Sequence, residues 1–228
     1  MRNSLCLAAL SVVGLLSPSA HGAELLVNGS FESAVQLNAD GYCYQGWPVQ
    51  DCGGISGWNG VLPLQIAATS TFWGSPGVLA GFDASLGHQV AAIQNTYNLQ
   101  QAVTVTGGTY ALQWLDAGRP AYDDQQYEVR FSGTILGTFD VQAGQAWSLH
   151  QATFTAPAGL HLLEFAGVGA QTDGTVFLDN IRLTAVSAVP EPASSALLLA
   201  GLGLVAGVAR RSARLNPRSS SPARCSCA

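Results

Sequence analysis

The residues of this 228-residue chain best suited to chemistry are its five tryptophans and six tyrosines, and the chemistry they suit is recognition rather than bond-making. Ring faces pack on the apolar C–H surfaces of a sugar while nearby polar side chains take its hydroxyls; the same rings also fill cores. Trp47 and Trp73, with Tyr42, Tyr44 and Tyr122, stand in glycine- or proline-rich stretches, where a side chain can reach a ligand. In Asp116-Ala117-Gly118-Arg119-Pro120, Asp116 and Arg119 can supply hydrogen bonds beside those rings or form a salt bridge with each other. The candidate carbohydrate-binding set is therefore Trp47, Trp73, Tyr44, Tyr122, Arg119 and Asp116. Trp58, Trp114 and Trp147 fall in strand-like positions and are expected in the core.

Catalytic patterns are thin. No His-Glu-x-x-His or Gly-x-Ser-x-Gly occurs, and His88, His150 and His161 have no ligand-like spacing. Asp123, Asp124 and Glu128 have the residue types of a glycosidase pair, but an acidic loop entering a strand is ordinarily solvated. Gly201-Leu202-Gly203-Leu204-Val205-Ala206 spells a dinucleotide fingerprint inside an apolar run, where small residues serve helix packing instead. The expectation is a chain that is not an enzyme.

Charge narrows the partners. From Glu24 to Asp179 thirteen carboxylates stand against Arg119, Arg130 and Arg182, a net of −10 (3 − 13), and the whole chain has no lysine. Such a surface repels nucleic acid and suits neutral ligands or divalent cations. Of the five cysteines only Cys43 and Cys52 share this region, and in an oxidising compartment they are expected to form a disulfide.

The elements that must position these residues are strands. Tyr127, Val129 and Phe131 alternate with Glu128 and Arg130, the period of a half-buried strand. Further short strands fit Gln89 to Ile93, Thr104 to Leu115, Thr134 to Asp140, Ser148 to Phe154, Leu160 to Phe165 and Val176 to Leu183. Gly107-Gly108, Ser132-Gly133, Ala143-Gly144, Pro157-Ala158-Gly159 and Asp173-Gly174 read as the turns between them. Short, punctuated strands predict an all-β fold, a β-sandwich of jelly-roll type. The stretch from Asp40 to Gly81 is loop-rich.

The two ends read differently. Arg2, the apolar run Leu5 to Leu16, and Ser17-Pro18-Ser19-Ala20 predict a signal peptide over 1–22. Ala193 to Ala209 carries no charge and is followed by Arg210, Arg211, Arg214, Arg218 and Arg224, which predicts one transmembrane helix over 193–209 and a basic cytoplasmic tail over 210–228. The domain itself is expected over 23–185, with a linker over 186–192.

Two resemblances extend this reading. Val189-Pro190-Glu191-Pro192, the apolar span and Arg210-Arg211 resemble a PEP-CTERM sorting signal, which implies processing by an exosortase, passage through the membrane, and release at the cell surface or into an extracellular matrix. The chain departs from that pattern by continuing from Leu215 to Ala228. Leu25-Leu26-Val27-Asn28-Gly29-Ser30-Phe31-Glu32, Gly57-Trp58 and Phe177-Leu178-Asp179-Asn180-Ile181-Arg182-Leu183 are similar to galactose-binding-like jelly rolls, among them many carbohydrate-binding modules. If the first and last strands lie side by side, Phe31, Phe177 and Ile181 bury while Glu32 and Asp179 converge. Facing carboxylates repel, a hard cation resolves the repulsion, and the resemblance implies a structural calcium at that place. The expected function is glycan binding in an extracellular polysaccharide matrix or at the envelope. A structural or adhesive matrix protein without a sugar site is the alternative, and a polysaccharide-acting enzyme is a third.

Overall fold

The computed structural model describes residues 22–33, 36–47, 53–169, 172–186 and 201–205. The chain divides into two units, Met1–Ser187 and Ala188–Ala228. In the second, residues 201–205 are helical; the remainder of the expected transmembrane span and the whole sorting motif lie outside the described residues, as does the expected signal peptide up to residue 21. Among the described residues no helix is long and apolar enough to cross a membrane.

The first unit is all-β, as the alternating pattern predicts. Its eight strands are β1 (Tyr42–Tyr44), β2 (Leu64–Ala67), β3 (Gln89–Gln94), β4 (Asn98–Gly118), β5 (Gln125–Phe131), β6 (Thr134–Val141), β7 (Ser148–Val168) and β8 (Thr175–Ala185). They form one antiparallel sheet in the order β1-β2-β3-β8-β4-β7-β5-β6.

Two glycine-rich signals that read as turns do not turn. β4 runs through Gly107-Gly108 and β7 runs through Pro157-Ala158-Gly159, paired to each other on both sides of that point, with Val105 opposite Gly159 and Gly108 opposite Ala156. What changes there is the face that looks inward. On β4 the buried side chains run Leu99, Gln101, Val103 and Val105, then Tyr110, Leu112, Trp114 and Asp116. On β7 the inward set runs from His150 to Ala156 on even positions and then through His161, Leu163 and Phe165 on odd ones. Gly107, Gly108 and Gly159 have φ of +84°, +133° and +145°, which side chains with a Cβ rarely adopt. The ribbon therefore kinks as a pair, and its halves enter different layers: Tyr110–Gly118 of β4 pairs with β8, whereas Leu163–Val168 of β7 pairs with β5. A hydrogen-bonded sheet thus folds over itself into a sandwich. No heavy atom comes within 4 Å of a Cβ built on Gly108, so Gly108→Ala tests the backbone alone. A loss of about 1–3 kcal/mol is expected in urea denaturation; an unchanged midpoint would show that the kink does not need glycine there.

Between the layers lies the main core. Trp114 meets the rings of Phe139 and Phe165 edge-on at 5.1 and 5.7 Å, and Leu112, Tyr127, Val129, Phe131, Leu178, Ile181 and Leu183 complete it. A second cluster occupies the other face of β2, β3 and β8: Leu64, Ile66, Val90, Ala92 and Phe177 pack against Tyr42, Trp73, Leu86 and Trp147. Three short 3-10 turns, Thr71–Trp73, Pro76–Val78 and Ala84–Leu86, form this cover, and the Trp147 indole N–H donates to the Pro76 carbonyl at 3.1 Å. Trp58, Trp114 and Trp147 are thus all in cores, as their positions predict. The Ser132-Gly133 signal is a true hairpin turn with both residues at positive φ, matching the twist of β5 and β6.

The segment predicted as a first strand is not one. Leu25–Glu32 runs beside β8 through the isolated Glu24–Thr184 bridge, Leu25 N–H to the Leu183 carbonyl at 2.9 Å and Ile181 N–H to the Gly29 carbonyl at 2.8 Å. Positive φ at Asn28 and Phe31 breaks the ladder, yet Phe31 and Ile181 bury in the main core and Phe177 in the second cluster.

Candidate functional site

Tyr44 and Trp47 are carried by and just beyond β1, Phe72 and Trp73 by the first 3-10 turn, and Arg119 and Tyr122 by the loop after β4. Folding brings these separate segments together. The Tyr44 ring lies 5.8 Å from Trp47 and 6.2 Å from Trp73, and Phe72 stacks on Tyr42 at 5.0 Å. Trp47, Phe72 and Tyr122 are 41%, 52% and 44% exposed, so three large rings face solvent around one neighbourhood.

Arg119 is its centre. The guanidinium carbon lies 4.0 Å from the Trp73 ring centroid and 3.4 Å from that of Tyr122, a double cation–π contact. Nη2 donates to the Phe72 carbonyl at 3.1 Å, and Nη1 lies 3.8 Å from Asp173 Oδ1. Burial pulls the Arg119 pKa down, and the facing Tyr122 and Asp173 offset it in part. Asp173 also takes a bond from Gln94 Nε2, whose Oε1 accepts from Tyr44 OH at 2.8 Å. Burial, with Tyr97 and Tyr42 next in order, pushes the Tyr44 pKa up, so its hydroxyl stays a donor in ordinary buffers.

Of the six residues picked from the sequence, five meet here: Tyr44, Trp47, Trp73, Arg119 and Tyr122. Two are placed otherwise than loop composition suggests. Trp73 is 1% exposed and Arg119 3% exposed, because the 3-10 cover folds back onto β2 and β3 and presses both inward. Asp116 is elsewhere. It sits in the core, accepting from Tyr127 OH at 2.8 Å and Gln145 Nε2 at 3.3 Å, with no salt bridge to Arg119. Alternation explains the separation: Asp116 continues the inward face of β4, whereas Arg119 lies past the strand end. Phe72, Gln94 and Asp173 were missed; Asp173-Gly174 carries a turn signal that hides a second role.

Cys43 is buried on β1 and disulfide-bonded, while Cys52 lies outside the described residues. Glu128 is bound to Arg130 at 2.7 Å, and Asp124 accepts the Ala143 N–H at 2.8 Å. A polar cleft of about 450 Å³ is lined by Asp124, Gln126, Asp140 and Gln142, but no buried unpartnered atom lines it.

Glu32 lies close enough to Asp179 for its charge to be felt there. Burial, and then the charge of Glu32, raises the Asp179 pKa to about 8, against the bond from Asn180 N–H. Glu32 Oε1 accepts from the His88 and Gln89 amides at 2.8 and 2.7 Å. Asp179 Oδ2 and the Gln65 side-chain oxygen are buried with no hydrogen-bond partner, and Gln65 Nε2 donates to the Phe31 carbonyl at 2.6 Å. The orphaned Asp179 oxygen, within reach of the charge of Glu32, fits a hard cation. Among the described residues no group of three or more His, Cys, Asp or Glu gathers, so such a site would complete itself with amide and backbone oxygens.

Residues 188–214 match the model of the PEP-CTERM protein-sorting motif, which contains Val189, Pro190, Glu191, Pro192, Arg210 and Arg211. No curated protein matches the sequence. Among solved structures, the chain is similar to TmCBM61 in complex with β-1,4-galactotriose, at 14% identity over 72% of this chain and 99% of that one, TM-score 0.42. It is similar to the CBM22-1 xylan-binding domain of Paenibacillus barcinonensis Xyn10C at 13% identity, covering 74% and 97%, TM-score 0.42. A third is the carbohydrate-binding module CBM36 in complex with calcium and xylotriose, at 12% identity, covering 41% and 79%, TM-score 0.36. At these identities and scores nothing about a ligand or a site transfers from them.

Proposed function

We propose that the first unit is a non-catalytic glycan-binding domain, and that exosortase handling of the 188–214 segment delivers it from a membrane-anchored precursor to the cell surface or an extracellular polysaccharide matrix. The observation that carries the binding reading is the gathering of solvent-facing Trp47, Phe72 and Tyr122 around a buried, ring-sandwiched Arg119. Exposed rings supply faces for sugar C–H surfaces, and Arg119, Asp173 and Gln94 supply fixed polar groups beside them. A hard cation, calcium by its oxygen donors, would be held by Asp179 and Glu32, where its charge would neutralise the two carboxylates and tie the N-terminal segment to β8.

Trp47→Ala and Phe72→Ala test the binding reading. Both rings are about half exposed, so unfolding midpoints should stay within about 1 kcal/mol of the parent. Affinity for whichever oligosaccharide a glycan array selects should fall about tenfold or more. Silence across the array, with the protein folded, points instead to a structural matrix protein, and release of sugar during incubation to an enzyme.

A further inference from the structure

We infer that the site recognises the acetamido group of an N-acetylhexosamine, through hydrogen-bond donors that the protein itself leaves unpartnered beneath Tyr122. This rests on the glycan-binding reading and names its ligand class. Arg119 Nε and Trp73 Nε1 are both buried and both lack a hydrogen-bond partner, although Arg119 lies against the Trp73 ring at 4.0 Å. Leaving one such group unsatisfied is costly, and two on side chains that touch each other call for a ligand.

The chemistry of the orphans selects that ligand. An indole N–H and a guanidinium N–H can only donate. Thr175 Oγ1, also unpartnered, belongs to the residue whose carbonyl accepts the Arg119 amide at 3.1 Å, and it too can donate. The strong complement is a group that accepts without donating, a carbonyl or a carboxylate; a hydroxyl brings a donor of its own, and the ring and glycosidic ether oxygens of a sugar are weaker acceptors. Charge separates the carbonyl from the carboxylate. Arg119 already has Asp173 at 3.8 Å, and the domain carries a net of −10 (3 − 13), so a second carboxylate would enter against the field. A neutral carbonyl enters without that penalty. Its sugar source is the acetamido group, whose methyl also suits the rings of Phe72, Tyr42 and Trp73.

Trp73 and Tyr122 cover the faces of the guanidinium, so a ligand meets the in-plane Nε–H at its edge, past Tyr122. Its ring covers the outer face of the guanidinium at 3.4 Å, it is 44% exposed, and the residue before it, Ala121, holds a φ of +63°. A half-exposed ring on a strained loop is a cover that a ligand can displace.

N,N′,N″-Triacetylchitotriose (hereafter chitotriose) and cellotriose differ only in bearing acetamido or hydroxyl at C2, which makes them the test pair. Calorimetric titration of the purified full-length chain should show chitotriose binding about tenfold or more tightly than cellotriose. Trp73→Phe keeps a ring and removes the N–H, and should cut that ratio several-fold. Titration followed by ¹⁵N NMR gives a second reading on the unmodified protein: the Trp73 indole N–H should shift with chitotriose and not with cellotriose. Equal affinity for the two, or an unmoved Trp73 resonance on chitotriose binding, overturns the acetamido assignment while leaving glycan binding intact. Preference for oligogalacturonate over chitotriose overturns it in favour of a carboxylate. Failure of every oligosaccharide overturns the glycan-binding reading as well.

Discussion

In the presence of a chelator, the melting temperature of this protein is expected to fall as the pH rises from about 4 towards about 8, and millimolar calcium is expected to remove the fall. The cause is Asp179, whose pKa burial raises from 3.8 to about 8. A carboxyl whose folded pKa lies above its unfolded one favours the folded state most fully below the unfolded pKa. That contribution is lost as the pH climbs through the folded value, because the unfolded chain ionises first. The separation corresponds to roughly 6 kcal/mol at most, which for a chain of this size is on the order of 10–20 °C. A cation on Asp179 Oδ2 supplies the partner that the proton otherwise replaces, so the bound form keeps its stability at neutral pH. Asp179→Asn should flatten the pH dependence in chelator and abolish the calcium effect together. A flat profile for the parent sinks the account of Asp179, and a calcium shift that survives Asp179→Asn places the cation elsewhere.

Replacing Asp116 by alanine is expected to cost about 3–4 kcal/mol, a fall in melting temperature of roughly 6–16 °C. The carboxylate is fully buried and accepts from Tyr127 OH at 2.8 Å, and that hydroxyl in turn accepts from the Trp114 indole N–H at 2.8 Å. Burial, and then the charge of Asp116, pushes the Tyr127 pKa up, so the phenol remains a donor. His150 Nε2 lies 3.0 Å from Asp116 Oδ1 without hydrogen-bond alignment, its ring stacked on Trp114 at 5.4 Å. Alanine strands the Tyr127 hydroxyl in the core, whereas Asp116→Asn leaves it an acceptor and should cost much less. In a double-mutant cycle, Asp116→Ala and Tyr127→Phe should be strongly non-additive, since either change removes the same bond. Additive losses would show that the two residues act separately.

Much of the framework is legible along the chain. Tyr127, Val129 and Phe131 face the core because period-two alternation is a local property that survives any choice of partner strand. Trp58 and Trp147 bury because large rings close to the sheet lower the free energy most by leaving water. The kinked ribbon is not legible. Gly107-Gly108 has the composition of a turn, and glycine at positive φ serves a turn or a kink equally. Which one forms depends on whether the strand opposite bends at the same register, fifty residues away in β7.

The candidate site divides in the same way. Residue type and the glycine- or proline-rich stretches around them marked Tyr44, Trp47, Trp73, Arg119 and Tyr122, since rings and a guanidinium there can serve a ligand as well as a core. Asp173 could not be added, because its claim rests on meeting Arg119 and Gln94 across the fold. Nor could Asp116 be removed: only the phase of β4 after its kink turns that carboxylate towards Tyr127. The sequence by itself determined an acidic, exported-type, all-β chain with a sorting tail and an aromatic loop set, because composition, period and motif order are local. The tertiary structure alone decided which of those rings are buried, which donors stay unpartnered and which carboxylate faces which, because each of these depends on what the register of distant strands sets opposite.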